Sequence, residues 1–295
     1  MALQRNRGYS LTIGNYKTGE GILIEDLQVT FDISKSSSNK DKTNSAAIEI
    51  YNLSDEDLKL IDTDYPTAVF SAGYHDTFIK ELFSGQVINV TTREQGTDRV
   101  TQIQMGSGYT NLNHDVLSQL TAPGKTVKDT FEDIRKAIPN ISRGVYNGTN
   151  LNNQLIYGYP LMGTPKDMLD ELSEKFDVDW QLDGDVLYVH DNDRASTENF
   201  GQAYLLRYDT GLIDMAYRTT GDVRRSKKDK VKKQSINCKI LLNGDIVAGS
   251  IVKLEQDSPL DGFLKVDSLR HTGDYRSTSW YTELKCSALE KVVRS

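Results

Sequence analysis

Leu27-Gln28-Val29-Thr30-Phe31-Asp32-Ile33, followed after a polar gap by Ala46-Ala47-Ile48-Glu49-Ile50-Tyr51, sets the fold class. Val29, Phe31 and Ile33 alternate with Gln28, Thr30 and Asp32, and Ile48 and Ile50 alternate with Ala47 and Glu49. A period of two places one row of side chains in a core and the other in water, as in a strand of an antiparallel sheet. Working outward, Thr67 to Tyr74, Glu81 to Thr92 and Arg99 to Met105 read as further strands. Glu94-Gln95-Gly96-Thr97-Asp98 has the composition of a hairpin loop between the last two. Ser54 ahead of Asp55-Glu56-Asp57-Leu58 predicts a short helix, its first turn acidic where the dipole favours anions. About six strands and one helix in the first hundred residues predict a small antiparallel barrel or sandwich.

The pattern changes after Gly106-Ser107-Gly108. Val127, Phe131, Ile134 and Ile138 stand at helical spacing behind Thr126 as cap. Thr164, Pro165 and the stripe Met168, Leu169, Leu172 and Phe176 predict a second helix. It runs into Val178 to Leu182, an Asp183-Gly184 turn and Asp185 to Val189, which read as a β-hairpin. Strands return from Gly201: Ala203 to Tyr208, Lys232 to Leu242, Ile251 to Glu255, Gly262 to His271 and Ser279 to Ala288, with turns at Asn243-Gly244 and Asp261-Gly262. The chain is thus mainly β with an α+β insert: residues 1–105 and 203–295 are β units flanking a mixed middle domain at 106–202.

The chain has 295 residues, enough for several domains. It carries 42 acidic against 35 basic residues, a net charge of -7, which opposes general nucleic-acid binding. Cys238 and Cys286 lie in strand-like runs and read as reduced core residues. No signal-peptide pattern follows Met1, and no run approaches the ~18 apolar residues of a membrane span. Synthesis in a cytosol and no membrane binding by the chain itself are expected.

Catalytic templates fall short. Gly124-Lys125-Thr126 ends like a phosphate-binding loop, but its first glycine position holds Gln119, so it reads as a helix cap. Gly106-Ser107-Gly108 lacks the spacing of a nucleophile elbow. Asp177, Asp179 and Gln181 resemble a calcium loop whose turn glycine is replaced by Leu182. His75, His114, His190 and His271 are scattered without zinc spacing. No catalytic residue, metal or cofactor is expected.

Two segments are candidates for contact with partners. In Arg224-Arg225-Ser226-Lys227-Lys228-Asp229-Lys230-Val231-Lys232-Lys233, the basic residues Arg224, Arg225, Lys227, Lys228, Lys230, Lys232 and Lys233 interrupt an acidic chain. The plainer reading is a solvated loop; an acidic protein surface ranks second and nucleic acid third, since no aromatics are interleaved. Ser34 to Ser45, with Lys35, Lys40 and Lys42, reads either as a mobile hairpin tip or as an arm lying across a neighbouring subunit.

Phe31-Asp32-Ile33-Ser34-Lys35, Asn44 to Ser54, the helix and hairpin of Thr164 to Val189, Thr210-Gly211-Leu212-Ile213, Leu241-Leu242-Asn243 and His271-Thr272-Gly273-Asp274 with Trp280 together resemble, in order, the late-control-D-like baseplate hub proteins of contractile-tailed phages. The resemblance implies two tail-tube-like β-barrel domains per chain and a homotrimer that adapts a sixfold tail tube to a threefold central spike. It further implies a channel through which DNA passes in transit, contacts with the tail tube protein, the spike and other baseplate proteins, and a place in the virion after assembly in the host cytoplasm. It carries no catalytic residues over. The chain's end soon after the second β unit leaves the spike to a separate protein in this reading. His271-Thr272-Gly273-Asp274 reads as a turn. The competing functions are a tail-associated glycan or peptidoglycan hydrolase and a nucleic-acid-binding tail component.

Overall fold

The computed structural model describes residues 6–15, 20–38, 44–63, 67–108, 112–113, 116–191, 203–225 and 230–289; at 62–63, 119, 221–225 and 230–233 it describes the backbone alone. The first strands are β1 (Arg7–Asn15), β2 (Glu20–Ile24), β3 (Val29–Ser36) and β4 (Ser45–Tyr51). Helix α1 (Asp55–Thr63) follows, its Asp57 N–H donating to Ser54 Oγ at 3.0 Å as the sequence predicts. Then come β5 (Thr67–Tyr74), β6 (Ile79–Gln95) and β7 (Asp98–Gly106). The β6–β7 turn is tighter than the expected loop: only Gly96 and Thr97 remain outside the strands, and Gly96 takes a φ of 67°.

The insert holds β8 (Leu117–Thr121), α2 (Val127–Ala137), β9 (Ser142–Asn147), β10 (Tyr159–Gly163), α3 (Pro165–Phe176), β11 (Val178–Asp183) and β12 (Val186–Asp191). Both helices begin with a reciprocal cap, Thr126 with Asp129 and Thr164 with Asp167, which satisfies N–H groups that the helix leaves without partners. Val127, Phe131, Ile134, Met168, Leu169 and Leu172 turn inward on Trp180, Leu182 and Val189 to make the insert's own core. The chain ends with β13 (Tyr204–Leu206), β14 (Tyr217–Arg225), β15 (Lys230–Leu241), β16 (Ile251–Leu254), β17 (Gly262–Asp274) and β18 (Trp280–Ala288).

Two separate barrels are expected from the resemblance, but the described strands do not close into them. The first and last units share a single 13-stranded sheet, ordered β14-β15-β18-β17-β3-β4-β7-β6-β5-β1-β2, with β16 paired to β17 and β13 to β16. The reason is the length of β17. Gly262 to Lys265 pair with β16, Leu264 to Gly273 pair with β18, and its second half pairs with β3 from Ser268↔Ser36 to Asp274↔Thr30. His271 to Asp274, read as a turn from its Gly and Asp content, is therefore extended strand, and the turn falls after it. Gly273 serves close packing there: a Cβ would collide with the Phe31 ring and meet Trp280 at 2.8 Å. Phe31 and Trp280 lie edge to face at 5.2 Å, and Leu242 and Trp280 belong to the core built by β1, β3, β4, β5 and β7.

The basic run expected as a loop instead supplies the ends of a hairpin. Arg224 and Arg225 close β14, and Lys230, Lys232 and Lys233 open β15, paired at Arg225↔Lys230. Lys227 and Lys228 lie outside the described residues. Among the described residues no helix is long and apolar enough to cross a membrane.

Candidate functional site

Two polar features are built into this frame. The first is a buried junction between the β3–β4 hairpin and the β11–β12 hairpin of the insert. In β11 the residues Val178, Trp180 and Leu182 face the insert core while Asp179 and Gln181, also buried, face the other way. Asp179 accepts from Ser38 Oγ at 2.9 Å, and the Leu182 carbonyl accepts from Asn44 Nδ2 at 2.9 Å. Lys35, buried on β3, reaches Asp183 Oδ1 at 2.8 Å. His190 stands opposite Asp179 in the β11–β12 register, and its Nε2 lies 3.0 Å from the Ser37 carbonyl. Burial and the nearby Lys265 hold its imidazole below the usual range. His271, buried on β17 and bonded to Thr282 Oγ1 at 2.8 Å, is pushed down to about 3 by burial and by the charge of Lys35. Buried polar groups of this density survive only when they are partnered, which is what these bonds supply.

The second feature is one face of the large sheet. Register carries a polar row from Lys239 on β15 through Glu283, Arg270 and Ser34. The next row runs Tyr281, Thr272, Asp32, Ala47, Gln104 and Asn89, and a third joins Thr30, Glu49, Gln102 and Thr91. The intervening residues, among them Leu284, Leu269, Ile33, Ile48 and Ile103, point into the core. Two cations on the polar face, Arg270 and Arg93, are paired with carboxylates across strands. Arg270 forks onto Asp32 with one bond at 2.7 Å, and the pair holds the guanidinium pKa up. Arg93 Nη2 donates to Glu49 Oε1 at 2.7 Å, Thr30 Oγ1 donates to Glu49 Oε2 at 3.2 Å, and Lys239 sits 3.9 Å over the Tyr281 ring. A groove of about 500 Å³ opens on this face between Lys239, Arg270 and Glu283 and a wall of Asp214, Met215 and Tyr217.

Of the residues singled out from sequence, Lys35 is engaged inside the chain, and Lys40 and Lys42 lie outside the described residues. The structure brings together what no local motif displays: Asp179, Asp183, Asn44 and His190. The available signal was Asp179 and Gln181 alternating with Val178, Trp180 and Leu182. Such a strand has polar groups on its second face, and a partner must meet them. Cys238 and Cys286 are free and buried on neighbouring strands, where a hydrogen bond between them pulls the Cys238 thiol down and, with burial, pushes Cys286 up. Among the described residues no cluster of three or more His, Cys, Asp or Glu is arranged to hold a metal.

Comparison with solved structures bears on this architecture. A tail protein from Neisseria meningitidis superposes with a TM-score of 0.66 at 12% identity, over 96% of this chain and 97% of that one. The fold is that of phage tail proteins. A 43 kDa prophage tail protein from Shewanella oneidensis gives a TM-score of 0.64 at 10% identity, covering 95% of this chain and 96% of its own. A type VI secretion component from Escherichia coli, described as similar in structure to the T4 tail proteins gp27 and gp5, gives 0.61 at 11% identity over 89% of this chain and 74% of that one. No family model matches the chain, and no curated protein matches it. With identities this low, shared backbone rather than shared side chains carries the likeness.

Proposed function

We propose that this chain is a structural, non-catalytic subunit of a phage tail baseplate hub, localised in the virion. In this reading three copies form an adaptor between the sixfold tail tube and the threefold central spike, with the polar sheet face lining the DNA exit channel. The observation that carries the proposal is that face. It crosses the sheet from β15 to β6, and its guanidinium groups Arg270 and Arg93 are paired with Asp32 and Glu49 of the same chain. A polyanion sliding past finds these two guanidinium groups already occupied by carboxylates, which reduces the counterion release that would hold it there. The tail-protein fold supports the setting. Among the described residues β14 and β2 end the sheet, and such edges give copies and other baseplate proteins strands to meet. Residues 1–105, 106–202 and 203–295 serve as the two tube-like units and the insert between them. The basic residues Arg224 to Lys233, with Lys40 and Lys42, serve as contacts to acidic partner surfaces.

The test is twofold. Light scattering on the purified chain, alone and with its spike protein, should reach the mass of three copies. Tail particles carrying Asp32→Lys with Glu49→Lys should assemble normally and eject DNA more slowly. A chain that remains a monomer with its spike, or a particle map that puts this face on the outside, rules the reading out. A purified chain that releases soluble fragments from peptidoglycan would instead establish the hydrolase.

A further inference from the structure

One end of the large sheet runs on into an arm that the rest of the sheet does not support. β15 pairs with β18 only from Ile236 to Leu241, whereas its pairing with β14 runs from Asn237 out to Lys230. Over Lys230 to Ser235, β14 is therefore its one neighbour among the described residues. β14 in turn has no neighbour but β15 there, and no backbone–backbone hydrogen bond joins Tyr217 to Arg225 to any other part of the described chain. Tyr217, Arg218, Thr219 and Thr220 are all exposed.

Two strands alone are marginal in water unless they bury an apolar face. This pair has little to bury. Across Tyr217 to Arg225 and Lys230 to Ser235, Val223 and Val231 are the only aliphatic residues. Arg218, Arg224, Arg225, Lys230, Lys232 and Lys233 are basic, and Asp222 is the one acidic residue. Asp222 falls in the irregularity between Thr220 and Val223 and has no cross-strand partner, while the register sets Arg225 opposite Lys230. Like charges at opposite positions destabilise a strand pair. The arm is thus formed against a repulsion that anions from outside the chain would relieve.

We infer that β14 is the docking edge for an acidic, extended segment of a different polypeptide, which adds a strand beside it. The inference rests on the reading of Arg224 to Lys233 as a contact to acidic partner surfaces, and adds the form that the partner takes. An open edge presents both N–H and C=O groups, and a polypeptide strand satisfies both. A nucleic-acid backbone offers acceptors alone. The charge then selects among strands. A second arm of the same kind would set cation against cation, and the chain's own acidic run, Asp55-Glu56-Asp57, is held in α1. Where β14 begins, Met215 and Tyr217 are 60% and 61% exposed and give an apolar side chain of the segment a foothold.

The test uses the full-length chain and a fluorescein-labelled peptide, Glu-Val-Glu-Thr-Glu-Val-Glu-Leu, read by anisotropy. A second peptide of the same sequence is methylated on alternate backbone nitrogens, which keeps the charge and removes strand pairing. The plain peptide should bind, and the methylated one at least about tenfold more weakly, for the loss of several backbone hydrogen bonds. Changing Arg224→Glu, Arg225→Glu, Lys230→Glu and Lys232→Glu together should abolish binding of the acidic peptide. The same variant should bind a peptide with Lys in place of each Glu, which also shows that it is folded. Equal binding of plain and methylated peptides overturns strand addition and leaves the acidic-surface reading standing. Binding of neither overturns both, whatever mass light scattering gives for the chain. A DNA duplex that binds more tightly than the acidic peptide at the same salt overturns the inference in favour of nucleic acid.

Discussion

Lys35 on β3 and Asp183 at the end of β11 form an ion pair at 2.8 Å, linking residues 148 positions apart across the boundary between sheet and insert. Lys35 is buried and Asp183 partly so; removing the carboxylate therefore strands a cation where water cannot reach it. Asp183→Ala is expected to cost about 2–3 kcal/mol in urea unfolding. Adding Lys35→Met should return part of that loss, because a neutral chain of similar length needs no partner. A double variant less stable than Asp183→Ala alone would show that the pair is not what holds the junction.

The two buried histidines give stability a defined pH dependence. His271 titrates near 3 in the folded chain and near 6.5 unfolded, so the unfolded state binds the proton first. Its contribution is fully present above about pH 6.5, is lost as pH falls, and levels off below about pH 3. From pH 7 to pH 5 the loss is about 2 kcal/mol for this group. His190, also lowered, acts in the same direction; Asp179 and Lys265 face it. Chemical unfolding at several pH values should show His271→Gln with a shallower slope than wild type between pH 6.5 and 5.

At Gly273 the backbone is extended, and the constraint is space. Gly273→Ala should destabilise by about 1–3 kcal/mol through overpacking against Phe31 and Trp280. The emission of Trp280 should shift with it. A thermal midpoint equal to wild type would mean that the rings move aside freely.

The helix caps offer a local measurement. Thr126→Ala and Thr164→Ala each remove a side-chain acceptor from an N-terminal N–H, at 3.2 Å in both cases. Each should cost about 1 kcal/mol, with the helix otherwise intact. Amide exchange in the first turns of α2 and α3 should accelerate selectively.

These experiments also separate what local sequence specifies from what it does not. β3, β4, α3 and the β11–β12 hairpin were legible because alternation, a Thr-Pro start and an Asp-Gly turn each act within a few residues. β9 was not: it pairs in parallel with β12, buries only Tyr146 of its six residues, and shows no period. β14 was hidden by its charged end, since a basic run is compatible with a hairpin arm as well as with a loop. His271 to Asp274 misled because a glycine required by a neighbouring ring looks the same in sequence as a glycine required by a turn. At the junction, Lys35 is visible as a basic residue in a polar stretch, but its partner is set by tertiary structure alone. The polar rows of the sheet face likewise arise from register between β15, β18, β17 and β3, which no single strand encodes.

The sharing of β17 has a consequence for biosynthesis. Leu242 and Trp280 complete the core whose other members are nearly all translated before residue 106, and β3 gains its second neighbour only when Ser268 to Asp274 are available. A nascent chain therefore carries an unpaired β3 edge and an unfilled aromatic pocket through more than half of its synthesis. Such an edge invites pairing with other nascent chains. Premature termination anywhere before Trp280 should accordingly yield aggregate rather than a free-standing N-terminal unit.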